Sequence, residues 1–206
     1  MQEHNDSVSS ADRLPQDAYD APTLARRGFL RAQGLMTLGA LAAVSLGRSG
    51  GAWGATMSKS ETEDIAILNT AIGLEYQAIA AYQVGAESGL LQKPVLDVAV
   101  KFQGHHKAHV DALAGAVHKM GGKPVAAKAA AEYQFPVAQL KTQADVLRFA
   151  AGLEKGATGA YLGAVPMFHN RDLSKAAASI LGDESMHWAI LLNVLGEDSV
   201  PGAFVG

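Results

Sequence analysis

The sequence predicts an all-α protein: a four-helix bundle of two helical hairpins joined by a long crossover between the second and third helices. Three observations predict it. Apolar residues recur three and four apart through four segments, each bounded by a capping pattern or a Gly/Pro stop, and no alternating strand pattern competes. A frame of the form L-E-x-x-A-x-x-A-Y occurs twice, as LEYQAIAAY at Leu74 to Tyr82 and as LEKGATGAY at Leu153 to Tyr161. Between the two copies, about twenty residues ending at Lys141 hold two prolines and an alanine-rich patch. That stretch is too long for a tight turn and suits a path along the bundle.

The first 54 residues stand apart from the rest. Arg26-Arg27-Gly28-Phe29-Leu30-Arg31 resembles the twin-arginine export signal, and it follows a polar leader, Met1 to Leu24, with five acids and one base. A weakly apolar segment, Ala32 to Leu46, comes next, then Arg48 and a small-residue patch in which Ala52 and Gly54 fit a small-x-small cleavage site. This is the order of a secretory signal, so residues 1–54 are expected to be removed and the mature chain, 55–206, to be periplasmic or otherwise exported. The alternative is a retained membrane anchor. Fifteen residues broken by Gln33, Gly34, Thr37 and Gly39 fall short of the roughly 20 apolar residues that a spanning helix needs.

The first helix, α1, is expected over 61–87, opened by a capping box at Ser60-x-x-Glu63 and carrying Leu68, Ile72, Glu75, Ile79 and Tyr82 on one stripe. Gly89 and Pro94 make a short link to α2, expected over 94–120, with Val95, Ala99, Phe102, His106, His109, Leu113, Ala116 and Met120 as its seam and Gly121-Gly122 as its stop. After the crossover, Thr142-x-x-Asp145 caps α3, whose stripe is Leu147, Ala150, Glu154, Ala157 and Tyr161 and which ends near Pro166. The fourth helix, α4, starts around Asp172 and presents Ala177, Ile180, Glu184, His187, Leu191 and Val194 before Gly196. Glu75 to His109 is 34 residues and Glu154 to His187 is 33, and each of these histidines opens an H-x-x-x-L frame. The two halves are therefore expected to be related by an approximate two-fold.

From Ala55 onward twelve Lys or Arg face fifteen Asp or Glu, a net charge of -3, which gives nothing for nucleic acid or an anionic membrane to bind. The absence of cysteine excludes disulfides, thiolate metal sites and cysteine nucleophiles. About 150 residues make one domain with room for a proper core.

Six polar residues fall on the apolar stripes: Glu75, His106, His109, Glu154, Glu184 and His187. A buried carboxylate costs several kcal/mol unless it is paired or ligates a metal. No Lys or Arg shares the stripes with the three glutamates, so the reading calls for a cation from outside the chain. Residues three apart on a helix share a face, so Glu184-x-x-His187 can offer one ion an oxygen and a nitrogen. His105 lies off the seam, where it is expected to face solvent or lie beyond the ligands, with substitution as a ligand as the alternative. His118 and His169 read as surface residues, Met120, Met167 and Met186 as gap-filling core. Tyr82 and Tyr161 read as core packing with the hydroxyl bonded to a neighbour.

One Glu from each of two helices plus Glu-x-x-His from each of the other two is the ligand pattern of di-metal carboxylate bundles. On that pattern the chain resembles the ferritin-like superfamily over 61–196, and within it the exported ferritin-like proteins grouped with desiccation-related proteins. The resemblance implies a ferritin-like four-helix bundle holding two divalent metal ions, with Glu75, His106, His109, Glu154, Glu184 and His187 as ligands. Hard oxygen and imidazole ligands suit iron or manganese. Five of the six positions match. On α2 the sequence reads His105-His106-Lys107-Ala108-His109, so a histidine stands at the glutamate position and three glutamates face the four charges of two divalent ions. This predicts either two unequal sites or a single strong one.

The function implied is redox chemistry on peroxide, dioxygen or ferrous iron, as a ferroxidase, peroxidase or catalase. The alternative is a non-enzymatic metal-binding or stress-protective bundle. Expected partners are a small-molecule oxidant or metal substrate and the twin-arginine translocase during export, with self-assembly into a homo-oligomer allowed.

Overall fold

A computed structural model describes residues 57–205. The twin-arginine motif and the cleavage patch lie outside the described residues. The four helices are α1, Lys59–Glu87; α2, Lys93–Lys119; α3, Gln143–Ala164; and α4, Arg171–Leu195. Among the described residues no helix is long and apolar enough to cross a membrane.

Each helix end has a local cause. α1 starts two residues earlier than Ser60-x-x-Glu63 suggests, because the capping box is Ser58 with Glu61: Ser58 Oγ accepts the Glu61 N–H at 3.2 Å and Glu61 Oε2 accepts the Ser58 N–H at 2.8 Å. The run Ser58-Lys59-Ser60-Glu61-Thr62-Glu63 contains the motif twice in overlapping register, and the outer copy wins because it satisfies donors one half-turn further out. α2 opens with Pro94 in its first turn, where a missing N–H costs nothing, and closes on Gly121 at φ 76°, whose N–H bonds the His118 carbonyl. α3 is capped by Thr142 and Asp145 as the sequence predicts, and Pro166 ends it in a 3₁₀ turn at Val165–Met167. α4 begins where Asn170 accepts the Asp172 N–H at 2.9 Å and stops at Gly196, φ 73°.

α1 packs along α2 and α3 along α4, giving two hairpins, and α1 then packs on α3. The crossover is pinned at both ends. Asn69 on α1 donates to the Lys123 carbonyl and accepts from the Val125 N–H, while Gln143 at the start of α3 accepts the Gln92 N–H beside the start of α2. Tyr133 stacks on Phe135, which meets Phe149 edge-on, so the intervening segment is tacked to the bundle by aromatic contacts. Buried Asp64 on α1 accepts the N–H groups of His169 and Asn170 and locks the α3–α4 turn against the base of α1. α1 and α3 approach closely at Gly85, where a Cβ would stand 3.1 Å from Val146 Cγ1.

Apolar side chains fill the bundle on both sides of a polar middle layer. One cluster holds Tyr82, Ala99, Phe102, Leu147, Ala151 and Leu191. Leu68, Ile72, Leu113, Val117 and Ile180 are likewise buried. Each fully buried aliphatic chain of this size contributes about 1.5–3 kcal/mol. Two expectations of core fail: Val194, on the α4 stripe, is 40 % exposed, and Met186, expected as gap-filling core, is 57 % exposed. Val194 lies at the outer edge of the stripe, whereas Met186, two residues past buried Glu184, falls about 200° around the helix and faces solvent. Met120 and Met167 are half-buried, and His118 and His169 are exposed.

Candidate metal centre

The polar middle layer is built from one or two residues of every helix. The fold brings together all six stripe residues: Glu75 from α1, His106 and His109 from α2, Glu154 from α3, Glu184 and His187 from α4. Five are buried, with Glu184 at 0 % exposure, and His109 has 13 % of its side chain exposed. Their donor atoms form two overlapping groups, Glu75–His106–His109–Glu184 and His106–Glu154–Glu184–His187, within each of which one atom per residue lies within 4.8 Å of the others. Glu184 and His106 belong to both.

The two repeat frames act on each other. Tyr82, seven residues past Glu75, donates its hydroxyl to Glu154 Oε1, and Tyr161, seven past Glu154, donates to Glu75 Oε1 at 2.5 Å. This crossed pairing requires α1 and α3 to run antiparallel, and it answers the sequence-level expectation of a hydroxyl partner. Both phenols stay protonated, because burial and then the neighbouring carboxylate charge push them well above the usual tyrosine range.

His106 sits between the halves, with Nδ1 2.8 Å from Glu75 Oε2 and Nε2 3.3 Å from Glu154 Oε1. The outer histidines turn the same atom inward. His109 Nδ1 lies 3.4 Å from Glu75 Oε2 and 3.2 Å from Glu184 Oε1; His187 Nδ1 lies 3.6 Å from Glu154 Oε2 and 3.7 Å from Glu184 Oε2. Phe102 stacks on the His187 ring at 4.0 Å and holds its plane.

Their Nε2 atoms face outward, onto Asp183, which lies off the α4 stripe. Asp183 Oδ2 is 3.2 Å from His109 Nε2, 3.3 Å from His187 Nε2 and 3.2 Å from His105 Nδ1. A carboxylate on Nε2 keeps the proton there and leaves the Nδ1 lone pair pointing into the site, which is how metal-ligating histidines are usually oriented. The available signal was the i,i+4 spacing from Asp183 to His187. His105, with 37 % of its side chain exposed, is not in either inner group; its Nδ1 stands 2.9 Å from His187 Nε2, and with Asp183 and His187 it forms a separate outer group.

The histidines themselves supply the counter-charge that the sequence appeared to lack. Burial disfavours their charged forms, but the glutamates packed close around them outweigh it, raising His106 to about 10 and His109 and His187 to about 9. Glu75 and Glu154 are driven up by burial yet end below the usual carboxylate range because of their histidine partners. Glu184 ends above it, through burial and the like charge of Glu154. In the metal-free chain the three histidines are thus held toward their charged forms beside Glu75 and Glu154.

Protons do not satisfy the whole layer. Both oxygens of Glu184, Oε2 of Glu154 and Nδ1 of His187 are buried and make no hydrogen bond. Buried polar atoms are normally bonded. Carboxylate oxygens and an imidazole nitrogen converging without partners are the donor set of a divalent cation, so the residues fit one.

Four antiparallel helices with a crossover and a buried Glu/His layer consistent with a di-metal site define a class, the carboxylate–histidine helical bundles. Within that class, residues 63–197 match the ferritin-like domain family, and the chain belongs to it. Among solved structures the chain is similar to a conserved hypothetical protein from Mycobacterium tuberculosis, at 24 % identity and a TM-score of 0.59, covering 71 % of this chain and 99 % of that one. It is also similar to a dodecameric thioferritin, the bacterioferritin-related protein of Bacteroides fragilis, at 21 % identity and a TM-score of 0.55, covering 66 % of this chain and 86 % of that one. At these identities the likeness is one of fold. No curated protein matches the chain.

Proposed function

We propose that this chain is an exported di-metal protein that binds iron or manganese through Glu75, His106, His109, Glu154, Glu184 and His187 and uses them in redox chemistry on peroxide, dioxygen or ferrous iron. The observation that carries the reading is Glu184: a carboxylate at 0 % exposure, shared by both residue groups, with neither oxygen hydrogen-bonded. A bound iron or manganese pair would supply the redox steps. The chain's own residues hold and orient. Tyr82 and Tyr161 fix the rotamers of Glu154 and Glu75, and Asp183 fixes the tautomers of His109 and His187. The apolar layers on either side exclude bulk water. Export is supported by Arg26-Arg27-Gly28-Phe29-Leu30-Arg31 and the small-residue patch after it.

One observation favours a second reading, in which the ions chiefly hold the helices together: of the six residues only His109 has appreciable exposure, so access for a substrate is narrow. Elemental analysis of the purified mature chain, followed by assays with peroxide and with ferrous iron under air, separates the two. Bound metal with turnover supports the redox protein; bound metal without turnover supports the structural role, and a chain that takes up no metal overturns both. Replacing Arg26 and Arg27 by Lys should leave the protein in the cytoplasm, and undiminished export would remove the twin-arginine reading.

A further inference from the structure

Thr158 is buried on α3, and among the described residues its hydroxyl is the one buried side-chain polar atom without a hydrogen bond that does not belong to the six candidate ligands. A threonine inside a helix has an easy alternative, the carbonyl four residues back. Thr158 does not use it. Packing does not require the hydroxyl either, because the matching position of the first repeat is Ile79: LEYQAIAAY against LEKGATGAY. The oxygen is therefore an addition specific to the second half.

Its placement follows from the helix. Glu154 is four residues before Thr158 and Tyr161 three after, so the three share one face of α3, and both neighbours reach into the Glu/His layer. The other unpartnered atoms are Glu154 Oε2, both Glu184 oxygens and His187 Nδ1. All belong to the His106–Glu154–Glu184–His187 group, and those of Glu184 are shared with the Glu75 group. On the other side Glu75 has both oxygens engaged, Oε1 by Tyr161 and Oε2 by His106 and His109.

We propose that the Thr158 hydroxyl is the built-in hydrogen-bond partner for a small oxygen- or nitrogen-donor ligand that enters from solution and completes the Glu154–Glu184–His187 corner. Thr158 thus makes that corner, and not the one at Glu75 and His109, the place where an oxidant or an inhibitory anion binds. It is a positioning residue that contacts the incoming ligand and not the metal. The inference rests on the metal-binding reading above.

Azide binding to the full-length mature chain loaded with cobalt(II) tests it, followed by visible absorption, with metal content per chain measured alongside. Thr158→Val is nearly isosteric and removes only the donor. It should hold as much cobalt as the wild type and bind azide about tenfold more weakly, the worth of one hydrogen bond. Thr158→Ser should restore azide affinity, which a purely packing role would not predict. If Thr158→Val binds azide as tightly as the wild type at equal metal content, Thr158 is a packing residue and the proposal fails while the metal site stands. If the wild type takes up no metal, both fall.

Discussion

The two hairpins are built on one sequence frame, yet their polar residues are left in different states. In the α1–α2 half Glu75 is closed: Tyr161, His106 and His109 engage both of its oxygens. In the α3–α4 half one oxygen of Glu154, both of Glu184 and Nδ1 of His187 make no hydrogen bond, though Glu184 Oε1 lies 3.2 Å from His109 Nδ1. Part of the difference lies at position 106, which stands closer to Glu75, at 2.8 Å, than to Glu154, at 3.3 Å. A glutamate there would add an acceptor, whereas a histidine adds a donor that satisfies Glu75 internally. One substitution in a repeat therefore turns one half of a symmetric site toward self-pairing and leaves the other half facing an outside cation.

The largest effect is expected from removing the residue common to both groups. Glu184→Ala should abolish metal binding, whereas Glu75→Ala should empty only the half that already pairs with itself. Titration of the wild type should then resolve two unequal affinities, the tighter at Glu154–Glu184–His187. A neutral imidazole has one lone pair and cannot serve two ions as a carboxylate can. His106→Glu should accordingly bring the two affinities together. Equal affinities in the wild type, or two ions still bound by Glu184→Ala, would break the comparison.

A smaller effect, on the order of a few kcal/mol, concerns the metal-free chain and pH. Folded values of about 9 to 10 for the three histidines lie above the ordinary 6.5. Groups raised in this way contribute stability that is complete below about 6.5 and is lost as pH rises through their folded values. Glu184, also raised, acts in the same direction by destabilising the fold once it ionises. Glu75 and Glu154 are lowered, so their contribution is present above the usual carboxylate range and lost in acid. The chelated protein should therefore melt highest between about pH 5 and 7 and progressively lower toward pH 10. With metal bound the inward imidazoles are neutral, and the alkaline loss should shrink. An identical pH profile with and without chelator would show that the histidines are not the counter-charge.

The sequence carried the helices and the six stripe residues because both depend on one-dimensional spacing: polar groups at core positions are visible to a helical period. Asp183 was not visible in that way. It neighbours Glu184 and so points about 100° around the helix from the stripe, and it matters only because α2 lies alongside with His105 and His109. The tyrosines were half legible. Counting along one helix put each about 10 Å from its own glutamate, but its partner is the glutamate of the other repeat, which only the antiparallel packing of α1 on α3 brings near. The charge state of the histidines was not legible for a related reason. A histidine's charge depends on how many carboxylates surround it, and that is a property of the assembled layer.

The smallest expected effect tests whether the two halves are as unequal as their hydrogen bonds suggest. Tyr161→Phe and Tyr82→Phe each remove one hydroxyl from one buried glutamate, in frames that are otherwise matched. Glu75 would keep His106 at 2.8 Å and His109 at 3.4 Å, whereas Glu154 would keep only the His106 contact at 3.3 Å as a hydrogen bond. A hydrogen bond to a charged group is worth about 1.5–3 kcal/mol, and more is lost when the acceptor is left without an alternative. Tyr82→Phe should thus lower the melting temperature of the metal-free chain more than Tyr161→Phe, and metal should narrow the gap by engaging the freed Glu154. The double variant should depart from the sum, since His106 joins Glu75 and Glu154 in one network. Equal costs for the single variants would mean that Glu75 and Glu154 are held alike, and the asymmetry would then rest on His106 alone.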